Sequence, residues 1–309
     1  MLRRFFFRDD GPLNLRVLRI VVALNALWIV LSRPTLIELF AWPDVLWRTV
    51  PQMTRVRFLL LFGPRVEWPL WIALHALLLL VLFNVATRWT ALASALLLYH
   101  FAPLESIFNG ANPYLRGFTI TTIALLAIAA AAPVGQTILS VPRGKKTEEN
   151  PGGQTGLSVL QDSWRNRWPV AVVQFVFVTM YFFAGWAKVL TSGMEWISPR
   201  NMRLVIVGLD QVLSFPGGEH GALWIARSPL LAAGLGIGGV LFELLFPLAL
   251  FSRRAAMVLA LAAAVFHVAN YLALHIHFPE LALLLVFVDW HALLPVRTMP
   301  GCPQSSVTS

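Results

Sequence analysis

Hydrophobic residues in this chain are gathered into long runs that are separated by short polar or charged stretches. Most runs are about 15–23 residues long, which is the length that an α-helix needs to cross a lipid bilayer. They are rich in Leu and Ala and do not alternate with polar residues at a period of two, which favours helices over a β-barrel. The pattern predicts eight candidate spans, at residues 15–31, 69–86, 90–102, 117–134, 169–190, 229–251, 255–274 and 279–294.

Three stretches depart from this simple pattern. The third and eighth spans are short, so that we expect half-spans or steeply packed inner helices there. Residues 33–68 mix five arginines with Trp and Phe, a composition typical of amphipathic helices that lie in the membrane interface. The polar, Pro- and Gly-rich residues 142–163 are predicted to form a flexible loop inside a transmembrane domain of residues 1–295, and residues 296–309 form a polar tail.

Composition supports an all-α, polytopic transmembrane bundle. The chain is 58% hydrophobic and only 13% charged, with a mean hydropathy of +0.70, which is too apolar for a soluble domain of this size. Its net charge of +9 is explained by Lys and Arg at cytoplasmic loops and anionic headgroups, and no basic stretch carries a nucleic-acid recognition motif. Membrane lipid is therefore the expected partner, and nucleic acid is not.

Charge also predicts the topology. With a cytoplasmic N-terminus, more Lys and Arg fall on the inner side of the membrane than on the outer side, as the positive-inside rule requires. We therefore expect a multi-pass protein of the cell's inner or plasma membrane with both termini in the cytoplasm. The single cysteine, Cys302, excludes an internal disulfide framework and a thiolate metal cluster.

The fifth predicted span carries the most informative polar residues. Gln174, Tyr181 and Lys188 follow one another at seven-residue steps and share one helix face, on which Gly185 allows a neighbouring helix or a flat ligand to come close. A lysine held away from water loses its proton more readily and can act as a base. The alternative is that Lys188 lies near the outer end of the span and extends to the headgroups.

Two further spans place ionisable groups inside the membrane. Glu243 lies near the middle of the sixth span, with Gly236 and Gly239 on the same face, which predicts that it points into the bundle. Lys188, Arg19 and His267 are its candidate partners, and a structural ion pair competes with a catalytic carboxylate. On the seventh span, His267 and Asn270 are one turn apart. His275 and His277 follow without a nearby acidic residue, and we predict no metal site.

Several segments, taken in order, resemble the HTTM family, the horizontally transferred transmembrane domain shared with vitamin K-dependent γ-carboxylase. The resemblance begins with LRVLRIVVALNALW at residues 15–28 and FNGANPYLRG at 108–117. It continues with Trp168, Pro169, Gln174, the stretch YFFAGWAKVL at 181–190, and Trp196. It ends with FELLFPLALF at 242–251 and FHVANYLALHIHFPELALLLVFVDW at 266–290.

The resemblance implies chemistry on a quinone. The carboxylase removes a proton from reduced vitamin K with a lysine, and Lys188 matches that lysine by its place in the motif. Asn112 stands where the family carries a histidine, and the long lumenal part that grips protein substrates has no counterpart; stand-alone bacterial members also lack it. The implied cofactor is a reduced, vitamin K-like quinone, bound in a pocket that Lys188, Tyr181, Gly185, Glu243, His267, Asn270 and Asn112 line.

Three functions remain open at this stage. The first is carboxylase- or oxygenase-like chemistry on a quinone-like or other lipid-soluble small molecule, with Lys188 as the base. The second is a non-enzymatic maturation or export factor that binds a peptide or protein partner through outer loops such as residues 197–227. The third is a transporter, which the lack of internal repeats and the sparse polar residues disfavour.

Overall fold

The computed structural model describes residues 5–6, 12–32, 64–101, 119–132, 157–213, 223–274 and 278–294. Within these ranges every regular element is helical, which confirms the predicted all-α bundle. The α-helices are α1 Pro12–Leu31, α2 Pro64–Leu82, α3 Thr87–Phe101, α4 Thr119–Ala131, α5 Leu157–Ser192, α6 Pro199–Leu213, α7 Leu223–Arg227, α8 Pro229–Leu245, α9 Arg253–Leu274 and α10 Trp290–Leu293. Three 3₁₀ segments, Gly193–Ile197, Phe246–Leu250 and Leu281–Phe287, complete the described structure.

Five helical stretches of the described chain are long and apolar enough to cross a membrane. They are Pro12–Leu31, Arg65–Leu82, Asn166–Ile197, Pro229–Leu250 and Arg253–Tyr271. Helices α3 and α4, with 15 and 13 residues, are shorter, so five of the eight predicted spans have full length. The protein is therefore a helical membrane protein in which short inner helices supplement the long ones.

The last predicted span is a short inner segment and not a full-length helix. Residues Leu281–Phe287 form a 3₁₀ segment that packs among α1, α5 and α9, with Leu283, Leu284 and Val286 buried. The chain leaves this geometry at Val288, and Asp289 then caps the short α10 by accepting from the amide of Ala292 at 3.4 Å. Hydrophobic periodicity cannot separate such a buried segment from a regular helix.

The first helix begins, and the described chain ends, at the same end of the bundle. The side chain of Asn14 donates to Asp289 at 3.3 Å and accepts from the amide of Trp290 at 2.9 Å. Arg253, the first residue of α9, pairs with Asp289. We call this end of the bundle the α1-start end. The side of the membrane on which it lies stays a prediction from charge.

Some predicted segments lie outside the described residues. They include residues 33–63 of the predicted interfacial segment, Asn112, residues 142–156, His275, His277 and the tail at 296–309. Helix α5 begins at Leu157, so its first residues overlap the loop predicted at 142–163.

A buried carboxylate joins three parts of the bundle. Glu280 is 2% exposed and accepts from both the amide of Thr121, at 2.6 Å, and its hydroxyl, at 2.8 Å. Asn25 of α1 donates to the same hydroxyl at 3.2 Å. The first amides of a helix lack partners within the helix, so Glu280 supplies an acceptor that α4 needs at its start. The contact fixes α4 against α1 and the chain that enters the 281–287 segment.

Replacing Glu280 with alanine should therefore destabilise the fold. Glu280→Ala leaves the Thr121 amide buried without its acceptor, and we expect the free energy of unfolding to fall by about 1–3 kcal/mol. Glu280→Gln retains an acceptor oxygen and should lose less. Thermal unfolding of both variants in the same detergent measures the difference. An alanine variant that unfolds at the parental temperature would show that this contact contributes no stability.

Candidate functional site

Lys188 and Glu243 form an ion pair between α5 and α8. The Nζ atom of Lys188 donates to Oε1 of Glu243. The lysine side chain is 24% exposed and the glutamate side chain 6%. Of the three partners considered for Glu243, the structure selects Lys188, whereas Arg19 bonds to Asn84 and His267 bonds to Tyr181.

The surroundings of Lys188 hold its head group within the helix contact. The Nζ atom lies 5.5 Å from the centre of the Trp196 ring, a distance at which cation and ring attract each other. With Glu243 on one side and Trp196 on the other, the ammonium is tied to protein groups. This arrangement differs from the alternative in which Lys188 extends to the headgroups.

Close approach of α5 and α8 depends on Gly185. A Cβ atom at this position would lie 2.9 Å from Cβ of Glu243 and 3.2 Å from the backbone nitrogen of Leu244. Any side chain would therefore push the helices apart and move Glu243 relative to Lys188. Gly236 is equally crowded, since a Cβ atom there would lie 2.8 Å from Cγ of Met202 in α6. The glycines predicted to allow close packing do so at these two positions.

One oxygen of Glu243 has no partner among the residues that the structure describes. The Oε1 atom is paired with Lys188, but Oε2 is buried and makes no hydrogen bond to any residue that the structure describes. A buried carboxylate oxygen normally has a partner, because desolvation without one is costly. The oxygen is therefore placed to accept a hydrogen bond from a group outside the described chain.

A second polar pair lies two helical turns along α5. The hydroxyl of Tyr181 and Nε2 of His267 are 2.6 Å apart and join α5 to α9. The Tyr181 ring is buried against Phe242 and Phe246, with centroid distances of 5.3 and 4.3 Å. Phe278 stacks on the His267 ring at 3.9 Å with an angle of 7° between the planes. The pair is thus held rigidly among aromatic side chains.

The two pairs form adjacent layers of one site. Tyr181 and Lys188 share a face of α5 and are about 10 Å apart along its axis. Phe242, which contacts Tyr181, directly precedes Glu243 in α8. The structure therefore brings Lys188, Tyr181, Gly185, Glu243 and His267 together where α5, α8 and α9 meet. Asn270 is half-buried one turn beyond His267, and within the described residues no hydrogen bond joins it to the other five.

Sequence reasoning missed the partners of several polar residues. Gln174 shares the α5 face, but it accepts from Arg167 at 2.9 Å and donates to the carbonyl of Val286 at 2.8 Å. The spacing could have revealed this, because Arg167 lies seven residues before Gln174. Likewise Nε2 of His100 is 2.9 Å from an oxygen of the buried Glu67. Across the described residues, no three His, Cys, Asp or Glu side chains are grouped as metal ligands.

A methyl group at position 185 should separate the two helices. We expect Gly185→Ala to lower the free energy of unfolding by about 1–3 kcal/mol, because the new Cβ atom overlaps Glu243 and the backbone of α8. Gly234→Ala is the matched control, since no atom lies within 4 Å of a Cβ atom there. Thermal unfolding in detergent compares them. Equal stability of the two variants would show that the close approach at Gly185 does not hold the helices together.

Comparison with known proteins supports the resemblance seen in the sequence. Residues 159–290 match the family model of the HTTM domain. The matched range contains Lys188, Glu243, Tyr181 and His267, whereas the similar segments at 15–28 and 108–117 lie outside it. No curated protein and no solved structure matches the chain. Residues 159–290 of this membrane protein are therefore similar to the HTTM domain, and the matched region includes both polar pairs of the site.

Proposed function

We propose that this protein is a membrane enzyme in which Lys188 and Glu243 together remove a proton from a lipid-soluble ligand such as a reduced, vitamin K-like quinone. The observation that carries the proposal is a partly buried ion pair with one carboxylate oxygen, Oε2 of Glu243, that has no partner among the described residues. The family resemblance supports the same assignment, since Lys188 occupies the position of the carboxylase lysine.

Stability alone does not explain an ion pair in this position. Removing two charges from water is costly, and a well-packed apolar pair of similar volume is often as stable or more stable. Ionisable groups within membrane-spanning helices accordingly tend to serve function. Here the pair lies at the tight contact that Gly185 permits, which fixes the relative position of amine and carboxylate.

The hydrogen bond between Nζ and Oε1 allows the pair to act as one base. If the shared proton resides on Glu243, the neutral amine of Lys188 accepts the ligand's hydroxyl proton. If it resides on Lys188, Glu243 accepts that proton. Both routes end with an ammonium at Lys188 and a carboxylic acid at Glu243, while the O–H electron pair stays on the ligand oxygen. The ammonium then stabilises the negative charge on that oxygen. We assign the proton transfer to the amine.

Aromatic residues around the pair suit a flat ligand. Trp196 lies beside Lys188, and Phe242 precedes Glu243 and packs on Tyr181. On the outward side of α5, Phe182 and Trp186 stack with an interplanar angle of 9°. When bound, a reduced quinone would supply an acidic hydroxyl and a reducing equivalent. The residues present fit such a group through aromatic rings, a cation and a carboxylate oxygen that has no partner within the described part of the chain.

Replacing Lys188 tests this mechanism. Lys188→Ala and Lys188→Arg should each slow oxidation of a reduced naphthoquinone by the reconstituted protein at least about 100-fold, because neither supplies a neutral amine. Arginine keeps the positive charge beside Glu243, so its variant also controls for folding. Loss of quinol under oxygen, followed by fluorescence, gives the rate. Full activity in Lys188→Arg would reduce the lysine to a positive anchor and overturn its role as a base.

A second candidate function is a maturation or export factor. Helix α6 lies outside the candidate spans and packs on α8. It buries Met202 and Ile206 while exposing Arg200, Arg203 and Leu204, a surface that could receive a peptide. Under this function, a gene that carries Leu204→Asp should fail to complement deletion of the native gene. A gene that carries Lys188→Arg should still complement it. Under the enzymatic function the two variants should show the opposite result.

A further inference from the structure

A cavity lies at the α1-start end of the bundle, far from the Lys188–Glu243 pair. It has a volume of about 80 Å³ and lies among α1, α5, α9 and the end of the 281–287 segment. Lys188 and Arg167, one of its lining residues, are 21 positions apart on α5, which places them about 30 Å apart along the helix. The cavity is therefore a second site at the opposite end of the bundle.

One wall of the cavity is polar and carries two guanidinium groups. Arg167 is buried, donates from Nη2 to Gln174 at 2.9 Å, and donates from Nε to the carbonyl of Phe5 at 3.1 Å. Arg253 pairs with Asp289 and is about half exposed. The two guanidinium groups and one carboxylate among the lining residues give a formal charge of +1. The fixed position of Arg167 suits recognition of an anion with several oxygens.

The opposite wall is apolar. Ala249, Leu250, Val286 and Phe287 line it, and they belong to the 3₁₀ segments that end at this side of the bundle. A ligand that fills the cavity would therefore meet charge on one side and hydrocarbon on the other. Free phosphate would leave the apolar wall unused, whereas a phospholipid satisfies both walls.

The neighbouring charges favour the same ligand. Arg19 bonds to Asn84, which places the turn between α2 and α3 at this end of the bundle. The described side chains near this end include five arginines and one carboxylate, that of Asp289. The arginines are Arg16, Arg88, Arg167, Arg253 and Arg254. Such an excess attracts anionic lipid, and basic pockets between helices at a membrane surface bind phosphate-bearing headgroups.

We propose that this cavity binds the headgroup phosphate of an anionic phospholipid through Arg167 and Arg253, with the lipid's apolar part along Leu250 and Phe287. Asp289 pairs with Arg253, and its negative charge opposes that of the ligand. The site is independent of the chemistry proposed for Lys188, because it lies at the other end of α5 and shares no residue with that pair.

Native mass spectrometry of the delipidated full-length protein, titrated with phosphatidylglycerol or phosphatidylcholine, tests the proposal. We expect preferential binding of phosphatidylglycerol. Arg253→Gln should weaken that binding at least about fivefold, the factor that corresponds to about 1 kcal/mol for one basic residue. Arg254→Gln is the matched control, because Arg254 is exposed next to Arg253 but does not line the cavity. Its loss should weaken binding less than about twofold, since salt screens an exposed charge.

Asp289→Asn gives a test of opposite sign. Removing this carboxylate takes away a repulsive charge, so phosphatidylglycerol should bind more tightly, whereas general damage to the fold would weaken binding. Equal losses in Arg253→Gln and Arg254→Gln, equal binding of phosphatidylcholine, or weaker binding in Asp289→Asn would each overturn the site. Displacement of the lipid by millimolar inorganic phosphate would overturn the lipid as ligand and assign the cavity to a soluble phosphate.

Discussion

A polar side chain on a membrane-spanning helix must find its partner on another part of the protein, because the surrounding hydrocarbon offers none. This constraint accounts for the main contacts between elements in the described bundle. Lys188 joins α5 to α8, Tyr181 joins α5 to α9, and Glu280 joins the chain after α9 to α4. Apolar packing fills the space between these contacts but is much the same on every face of a Leu- and Ala-rich helix. The polar pairs therefore supply much of the specificity with which the helices choose their neighbours.

The need for polar partners on other segments also explains why the sequence predicted the helices better than it predicted the contacts between them. Length and hydropathy predicted the five long helices, because a full-length span needs about 20 apolar residues. Spacing along one helix predicted that Tyr181, Gly185 and Lys188 share a face. Pairing between helices was harder to predict: Glu243 had three candidate partners, and only the fold identifies Lys188. Glu280 was overlooked because it follows Pro279 at the edge of a predicted span, where a carboxylate is expected to be in water.

Crowding at glycine connects packing to chemistry. Gly185 lets α5 approach Glu243 and the Leu244 backbone of α8, and Gly236 lets α8 approach Met202 of α6. The carboxylate therefore meets Lys188 without needing a long, flexible side chain of its own. The aromatic side chains around Tyr181 and His267 lie directly beside this contact. Apolar surroundings of this kind strengthen electrostatic effects on any bound group.

The regular spacing of Arg167, Gln174, Tyr181 and Lys188 has a consequence for how α5 can move. Each of these residues is anchored to a different segment, namely to Phe5, to Val286, to α9 and to α8. A rotation of α5 about its own axis would break all four attachments at once. It would also turn these four polar side chains towards lipid. Sliding to the next matching register would require a shift of about 10 Å. These four attachments therefore hold α5 in one orientation and one register, so that any movement between helices would come from the elements around it.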